Sequence, residues 1–323
     1  MTVPTLERRD LTAASAPSDR AFRATVRTAA LLCLSVMGLI GLFLLLRALP
    51  ALRATGWSFL TTAQWLPGTG HFGVAAVLEG TVLIAGIALL LAVPVSFGAA
   101  VWITDYAPRR LRPALVSLVD LMAAVPSIVY GLWGFFFVQP HLIGVSRWIA
   151  GNLGPAVPFL RVANPETDSS FASSAFIAGC VVAVMVLPTI TSVMREVFAQ
   201  APVGEREAAI ALGGSQWSVV RRVVVPFGRS GIVGGTMLGL GRALGETVAV
   251  YLIISPVFEV TTHPLQSGTH TISALIATLS TESSGVALSG LLAAGLVLFG
   301  FTLLVNAGAA VVVNRSRSGR VTG

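Results

Sequence analysis

Residues 202–226 read PVGEREAAIALGGSQWSVVRRVVVP, a polar, arginine-bearing stretch between two strongly apolar segments. Pro202 and Gly204 break whatever precedes them. Glu205 and Glu207 then fall in the first turn of a helix, where carboxylates suit the positive end of the helix dipole. The pair Gly213 and Gly214 ends that helix, and Ser215 is the expected N-cap of a second short one. In this second helix Trp217, Val220 and Val224 share a face, Arg221 and Arg222 lie off it, and Pro226 is expected to stop it. Two short helices hinged on a glycine pair, held at both ends by membrane spans, form a lever able to transmit force. An amphipathic loop resting on lipid headgroups is the alternative reading of the same residues.

Outward from this stretch the chain is too apolar for a soluble domain. Of its 323 residues 54% are hydrophobic and only 11% charged, and the mean hydropathy is positive, so it reads as an all-α polytopic membrane protein. Apolar segments at about 28–46, 77–103, 114–138, 172–194, 231–257 and 286–313 predict six transmembrane helices. Together they form one membrane domain over 29–314, with the polar loop at 200–226 inside it. Residues 1–28, polar and without apolar period, are expected to be a disordered cytoplasmic tail, and 315–323 a second cytoplasmic tail. The first span is too long for a signal h-region, which favours an uncleaved anchor. Arg47–Gly73, holding Trp57 and Trp65, is expected to be an interfacial loop with aromatic anchors. Gln139–Ser170 is expected to be an external loop, and Ile272–Leu279 a short re-entrant or interfacial helix.

All 21 basic residues are arginine, and they test the topology. With a cytoplasmic N-terminus, sixteen fall on the inside, Arg47, Arg53, Arg147 and Arg161 fall outside, and Arg242 lies within a span. The same orientation puts the polar loop in the cytoplasm. Net charge of +7 is therefore read as an orientation signal and not as a nucleic-acid footprint. Cys33 and Cys180 lie inside apolar segments, and His71, His141, His263 and His270 fall in external loops without ligand spacing, so neither a disulfide nor a metal site is indicated. No phosphate-binding Walker pattern is present, so no cofactor is expected and any ATP must be hydrolysed by another chain.

Arg242 and Glu246, four residues apart in the fifth span, are expected to share a helical face about 15 to 20 Å into the bilayer. An arginine there costs on the order of 2.5 to 3.5 kcal/mol on insertion scales, so it should face protein or a wet path. Two readings stay open. The pair is self-neutralising and fixes helix rotation, or Arg242 offers a planar fork of donors to a passing oxyanion while Glu246 holds the guanidinium when the path is empty. Glycines 231, 234, 235, 239, 241 and 245 allow close approach of a neighbouring helix, within the subunit or across a dimer interface. In the third span Asp120 pairs with an arginine or serves transport. Ser127, after Pro126, lines an anion path or bonds its own backbone.

Resemblance sharpens these readings. Glu207, Ala208, Ala209, three residues, Gly213, nine residues, then Val223 to Val225 and Pro226 resembles the EAA loop of ABC importer permeases, departing from its pattern only by valines where that has isoleucine and leucine. In that family the loop docks on a cytoplasmic ATPase subunit, which implies that Glu207, Ala208, Ala209, Gly213 and Pro226 couple to it. Gly239–Val250 and Ala124–Gly134 are similar to the fifth-span and third-span signatures of permeases of the phosphate-specific transport (Pst) system, and are closer to its PstC than its PstA type. The resemblance implies a type I ABC importer permease fold at the inner membrane, a PstA-type second permease, a PstB-type ATPase dimer and an extracytoplasmic phosphate-binding protein. It also implies that Arg242 and Glu246 act in phosphate passage. Permeation of another oxyanion such as molybdate or sulfate, a stand-alone secondary transporter or channel, and a non-transporting scaffold or sensor are the competing functions.

Overall fold

The computed structural model describes residues 17–67, 71–255, 257–260 and 262–317, and most of them are helical. Helix α1 (Pro17–Thr55) is a single 39-residue helix. The expected disorder of residues 1–28 therefore fails from Pro17 onward, while residues 1–16 lie outside the described residues. Once the long apolar run has nucleated a helix, extension into polar residues is cheap. Asp19 and Arg23, one turn apart at 2.9 Å, assist it.

The far end of α1 leads to α2 (Ser58–Thr61) and a small antiparallel pair, β1 (Trp65–Leu66) with β2 (His71–Phe72). Arg47–Gly73 is thus largely structured instead of a loop. Trp57, 88% exposed, is free to anchor at an interface, but Trp65 is buried edge-on against Phe72 with ring centroids 5.7 Å apart.

Helix α3 (Ala75–Val101) continues as a π turn, Trp102–Tyr106. Helix α4 (Arg112–Ala124) then stops, and α5 (Ser127–Trp133), a π turn Gly134–Val138 and α6 (Gln139–Leu153) follow as one rod. The third span is therefore displaced from the expected Ala114–Val138 to Ser127–Leu153. Pro126 causes the shift, because it forces Val125 into an extended conformation, ψ 127°. The first half of Gln139–Ser170, expected as an external loop, is therefore helical, and its Pro140 sits in the first turn after the π turn, where a missing N–H is tolerated.

After α7 (Ser169–Ala172), helix α8 (Ala175–Ala199) runs through the middle of the domain. Its Ile177, Val181, Met185, Ile190, Met194 and Phe198 are fully buried. Alanines 85, 88, 92 and 100 of α3 bring that helix close along one side. The polar loop forms α9 (Val203–Ala211), α10 (Gln216–Val219), a π turn Val220–Val224 and α11 (Val225–Phe227). Pro226 does not stop this second arm; the helix runs one residue further and bends by 69° into α12 (Arg229–Gly245).

The expected fifth span, Gly231–Val257, is likewise interrupted. Helix α12 ends at Gly245, and α13 (Val248–Ile253) starts anew after Glu246 and Thr247. Helix α14 (Ile272–Leu279) has the expected bounds, with the Thr271 side chain capping it by accepting the Ala274 N–H at 3.3 Å. Helix α15 (Gly285–Arg317) packs along α1 and closes the bundle. Among the described residues five helices are long and apolar enough to cross a membrane, and six when the bent pair ending in α12 counts as one. The chain is a multi-pass membrane protein.

Candidate functional site

The lever is built as its residues dictate. Gly213, at φ +80°, follows the C-cap of α9; its N–H donates to Ile210 O at 2.9 Å and that of Gly214 to Ala209 O at 3.0 Å. This is the Schellman arrangement, which needs a left-handed residue that glycine adopts freely. A Cβ at Gly214 would lie 2.5 Å from Ala209 O, so the second glycine is required for space. The Ser215 hydroxyl accepts the Ser218 N–H at 3.3 Å and caps α10. Val220 and Val224 are buried together with Val219, as the pattern demands, but Trp217 is exposed.

No residue of α9 is buried. Only Arg206 and Ala209 turn toward the body, while Glu207 and Ala208 face outward. Val203, Ile210, Leu212 and Trp217 form an exposed apolar surface on the two arms, with Leu212 89% exposed.

Arg242 lies near the end of α12, half-buried, beside an open groove of about 470 Å³ lined by Thr189, Gly234, Met237, Leu238, Gly241 and Asn306. Its Nη1 donates to Thr189 Oγ1 at 3.3 Å. Glu246 is not its partner, which corrects the shared-face expectation. Because α12 ends at Gly245, Glu246 takes an extended conformation, ψ 125°, and leaves the helical face of Arg242. It is buried, and its Oε1 accepts the Ala249 N–H at 3.2 Å, a carboxylate set at the positive end of α13. Ser273 Oγ donates to Leu244 O at 3.2 Å and ties α14 to the same break.

Asp120 is exposed on α4 and Ser127 opens α5; neither lines the groove. Thr189 and Asn306 do line it and were not singled out from the sequence. The available signal was the first of three hydroxyls after Pro188 in α8, Thr189, Thr191 and Ser192, and a lone amide in the apolar run of α15. Ala124–Gly134 and Gly239–Val250 do meet, since a Cβ on Gly131 would lie 2.8 Å from Ala249 Cα. The α12 glycines divide between two faces, and close packing within the subunit is seen on one of them. A Cβ at Gly231 would lie 2.5 Å from Val197 Cβ and one at Gly239 2.5 Å from Ile190 Cδ1, both on α8, whereas Gly234, Gly241 and Gly245 have nothing within 4 Å.

In the loop between α13 and α14, His270 is buried. Burial pushes its imidazole down to about 4, and Nδ1 accepts the Thr271 N–H at 3.0 Å, which leaves the proton of the neutral ring on Nε2.

A multi-pass helical bundle with a polar helical lever and an open groove lined by an arginine is the architecture of a membrane transport component. Residues 92–318 match the family described as binding-protein-dependent transport system inner membrane component, and the chain belongs to it. Within that class it belongs with the phosphate transport system permease proteins PstC. It is 42% identical over 309 residues to PstC 2 of Mycobacterium tuberculosis, covering 94% of this chain and 93% of the relative. To PstC of Mesorhizobium japonicum it is 40% identical over 291 residues, covering 89% and 88%. The fold is also that of a solved bacterial ABC transporter involved in the import of alginate, with TM-score 0.58 at 18% identity over 93% of this chain and 97% of that one. The MetNI methionine ABC transporter, in an inward-facing conformation, gives TM-score 0.54 at 15% identity over 75% and 95%.

Proposed function

We propose that this chain is the permease subunit through which inorganic phosphate is imported, driven by ATP hydrolysed on a separate subunit that docks on α9 and α10. The observation that carries the reading is Arg242. It is a guanidinium within a membrane span whose one side-chain hydrogen-bond partner among the described residues is a hydroxyl, and none of the described residues that line the groove beside it is a carboxylate. Such a fork suits an oxyanion in transit. Glu246 acts here by holding the break between α12 and α13, so it positions the arginine and does not neutralise it.

The exposed face of the lever supports ATPase docking through Glu207, Ala208 and Gly213, with Ala209 packed against the body behind them and Pro226 in the second arm. The arginine distribution supports a cytoplasmic lever, cytoplasmic termini and an inner-membrane location. The open face of Gly234, Gly241 and Gly245 suits a second, PstA-type permease. A PstB-type ATPase dimer and an extracytoplasmic phosphate-binding protein complete the assembly. The mechanism is alternating access, in which closure of the ATPase pair tilts the lever and opens the groove toward the binding protein.

The test is purification of the chain with whatever assembles on it, then labelled phosphate uptake by proteoliposomes in competition with sulfate and molybdate. ATP-dependent uptake inhibited by phosphate alone is expected. Stronger competition by another oxyanion, or transport by the lone chain without ATP, overturns the reading.

A further inference from the structure

We infer that Asp105 is the residue that joins the lever to the body, holding both of its arms at one point. The inference rests on the reading of α9 and α10 as the ATPase-docking lever. Among the described residues, Arg206 is the one residue of α9 whose side chain makes a hydrogen bond or ion pair with the body. Its Nη1 donates to Asp105 Oδ1 and its Nη2 to Phe198 O at 2.6 Å. From the second arm, Gln216 Nε2 donates to the backbone carbonyl of Asp105 at 2.6 Å. One residue thus receives α9 through its carboxylate and α10 through its carbonyl.

The position of Asp105 makes this a transmission point. It lies in the π turn that ends α3, while Phe198 is the buried penultimate residue of α8. The guanidinium fork therefore clamps the ends of α3 and α8 to one helix of the lever. Against α8 pack Gly231, Gly235 and Gly239 of α12, the helix that carries Arg242. Displacing α9 pulls on α3 and α8 together, and α12 must follow α8, because the glycine contacts leave no slack.

The joint is not optimised for stability. Side-chain exposure is 5% for Asp105 and 19% for Arg206, so the pair is largely desolvated, yet Asp105 Oδ2 and Arg206 Nε have no hydrogen-bond partner. A half-satisfied buried pair is a poorer source of stability than apolar packing, and its use is directional: it fixes α9 at one point on the body. Asp105 and Arg206 are positioning residues, and the solute does not touch them.

The experiment uses the complete complex in proteoliposomes with Asp105→Asn, Arg206→Gln and the double variant. Three quantities are read: copurifying ATPase, ATP hydrolysed, and phosphate imported per ATP. Each single variant is expected to retain the ATPase and to lose about tenfold in phosphate imported per ATP, within the usual range of coupling between sites. The double variant is expected to be no worse than either single one, as for residues acting as a unit. Unchanged import per ATP in the single variants overturns the inference, as does a double variant whose loss is the product of the two. If no variant retains the ATPase while the unaltered chain does, the pair belongs to the folding core and the inference is again overturned. If the unaltered chain itself retains no ATPase, it is the docking reading that falls.

Discussion

Replacing Arg242 with Leu separates a transport role from a structural one, because the two predict opposite changes in stability. An arginine within a span costs about 2.5 to 3.5 kcal/mol on insertion scales. Against that, the structure provides one hydrogen bond, from Nη1 to Thr189 Oγ1 at 3.3 Å. A bond from a charged donor contributes about 1.5 kcal/mol at this long distance, the low end of its range. Glu246 does not enter the balance, since it is bonded to Ala249 N. The Leu variant should therefore be as stable as the parent or about 1 to 2 kcal/mol more stable. Uptake should collapse, because losing a desolvated charged contact to the anion costs about 2 to 5 kcal/mol, roughly 30-fold or more in rate. Thermal unfolding of the purified complex in detergent reads the first quantity, and labelled phosphate uptake in proteoliposomes reads the second. A clear fall in melting temperature accompanied by residual uptake would refute the reasoning and make Arg242 a packing residue.

Gly213→Val should weaken the C-cap of α9 by about 1 to 2 kcal/mol, since φ +80° is disfavoured for a β-branched residue, and should reduce copurification of the ATPase; normal association would contradict the lever. Gly231→Val should destabilise the chain by about 1 to 3 kcal/mol, because its Cβ would meet Val197 Cβ at 2.5 Å, whereas Gly234→Ala meets nothing within 4 Å and should leave the isolated chain unaltered; equal melting temperatures would discount the packing argument. For His270 the folded pKa lies near 4 against an ordinary 6.5, so the native fold binds fewer protons between those values. Its stabilisation is complete above about pH 6.5 and declines as the pH falls toward 4, by at most about 3 kcal/mol. His270→Gln should flatten that part of the profile of stability against pH, measured by unfolding in detergent; an unchanged slope would reject the assignment.

Much of the architecture was legible before any coordinates. Apolar runs as long as the bilayer is thick can be satisfied in lipid only as helices, so composition and run length determine an all-α multi-pass chain. The hinge was equally plain, since Gly213, Gly214 and Ser215 act through their own local backbone geometry. So was α14, whose bounds follow from its apolar run after Thr271. Prolines were ambiguous. Pro94 and Pro188 lie inside continuous helices, whereas Pro126 ends one, and nothing local to the three distinguishes them.

The site depended on distance in space. Arg242 and Glu246 look paired at a spacing of four, yet a helix end at Gly245 sends the carboxylate to cap α13. Thr189, Arg242 and Asn306 come from three helices and share a groove only after α8, α12 and α15 have packed. Asp105 and Arg206 are separated by 101 positions and meet because the π turn after α3 and the first turn of α9 are packed together in the fold. The sequence by itself determined that the chain is an all-α multi-pass protein and where the lever hinges, because those depend on transfer into lipid and on short-range sterics. Which polar groups face one another was decided by the tertiary structure, because a buried donor takes whichever acceptor the packing of distant helices brings within reach.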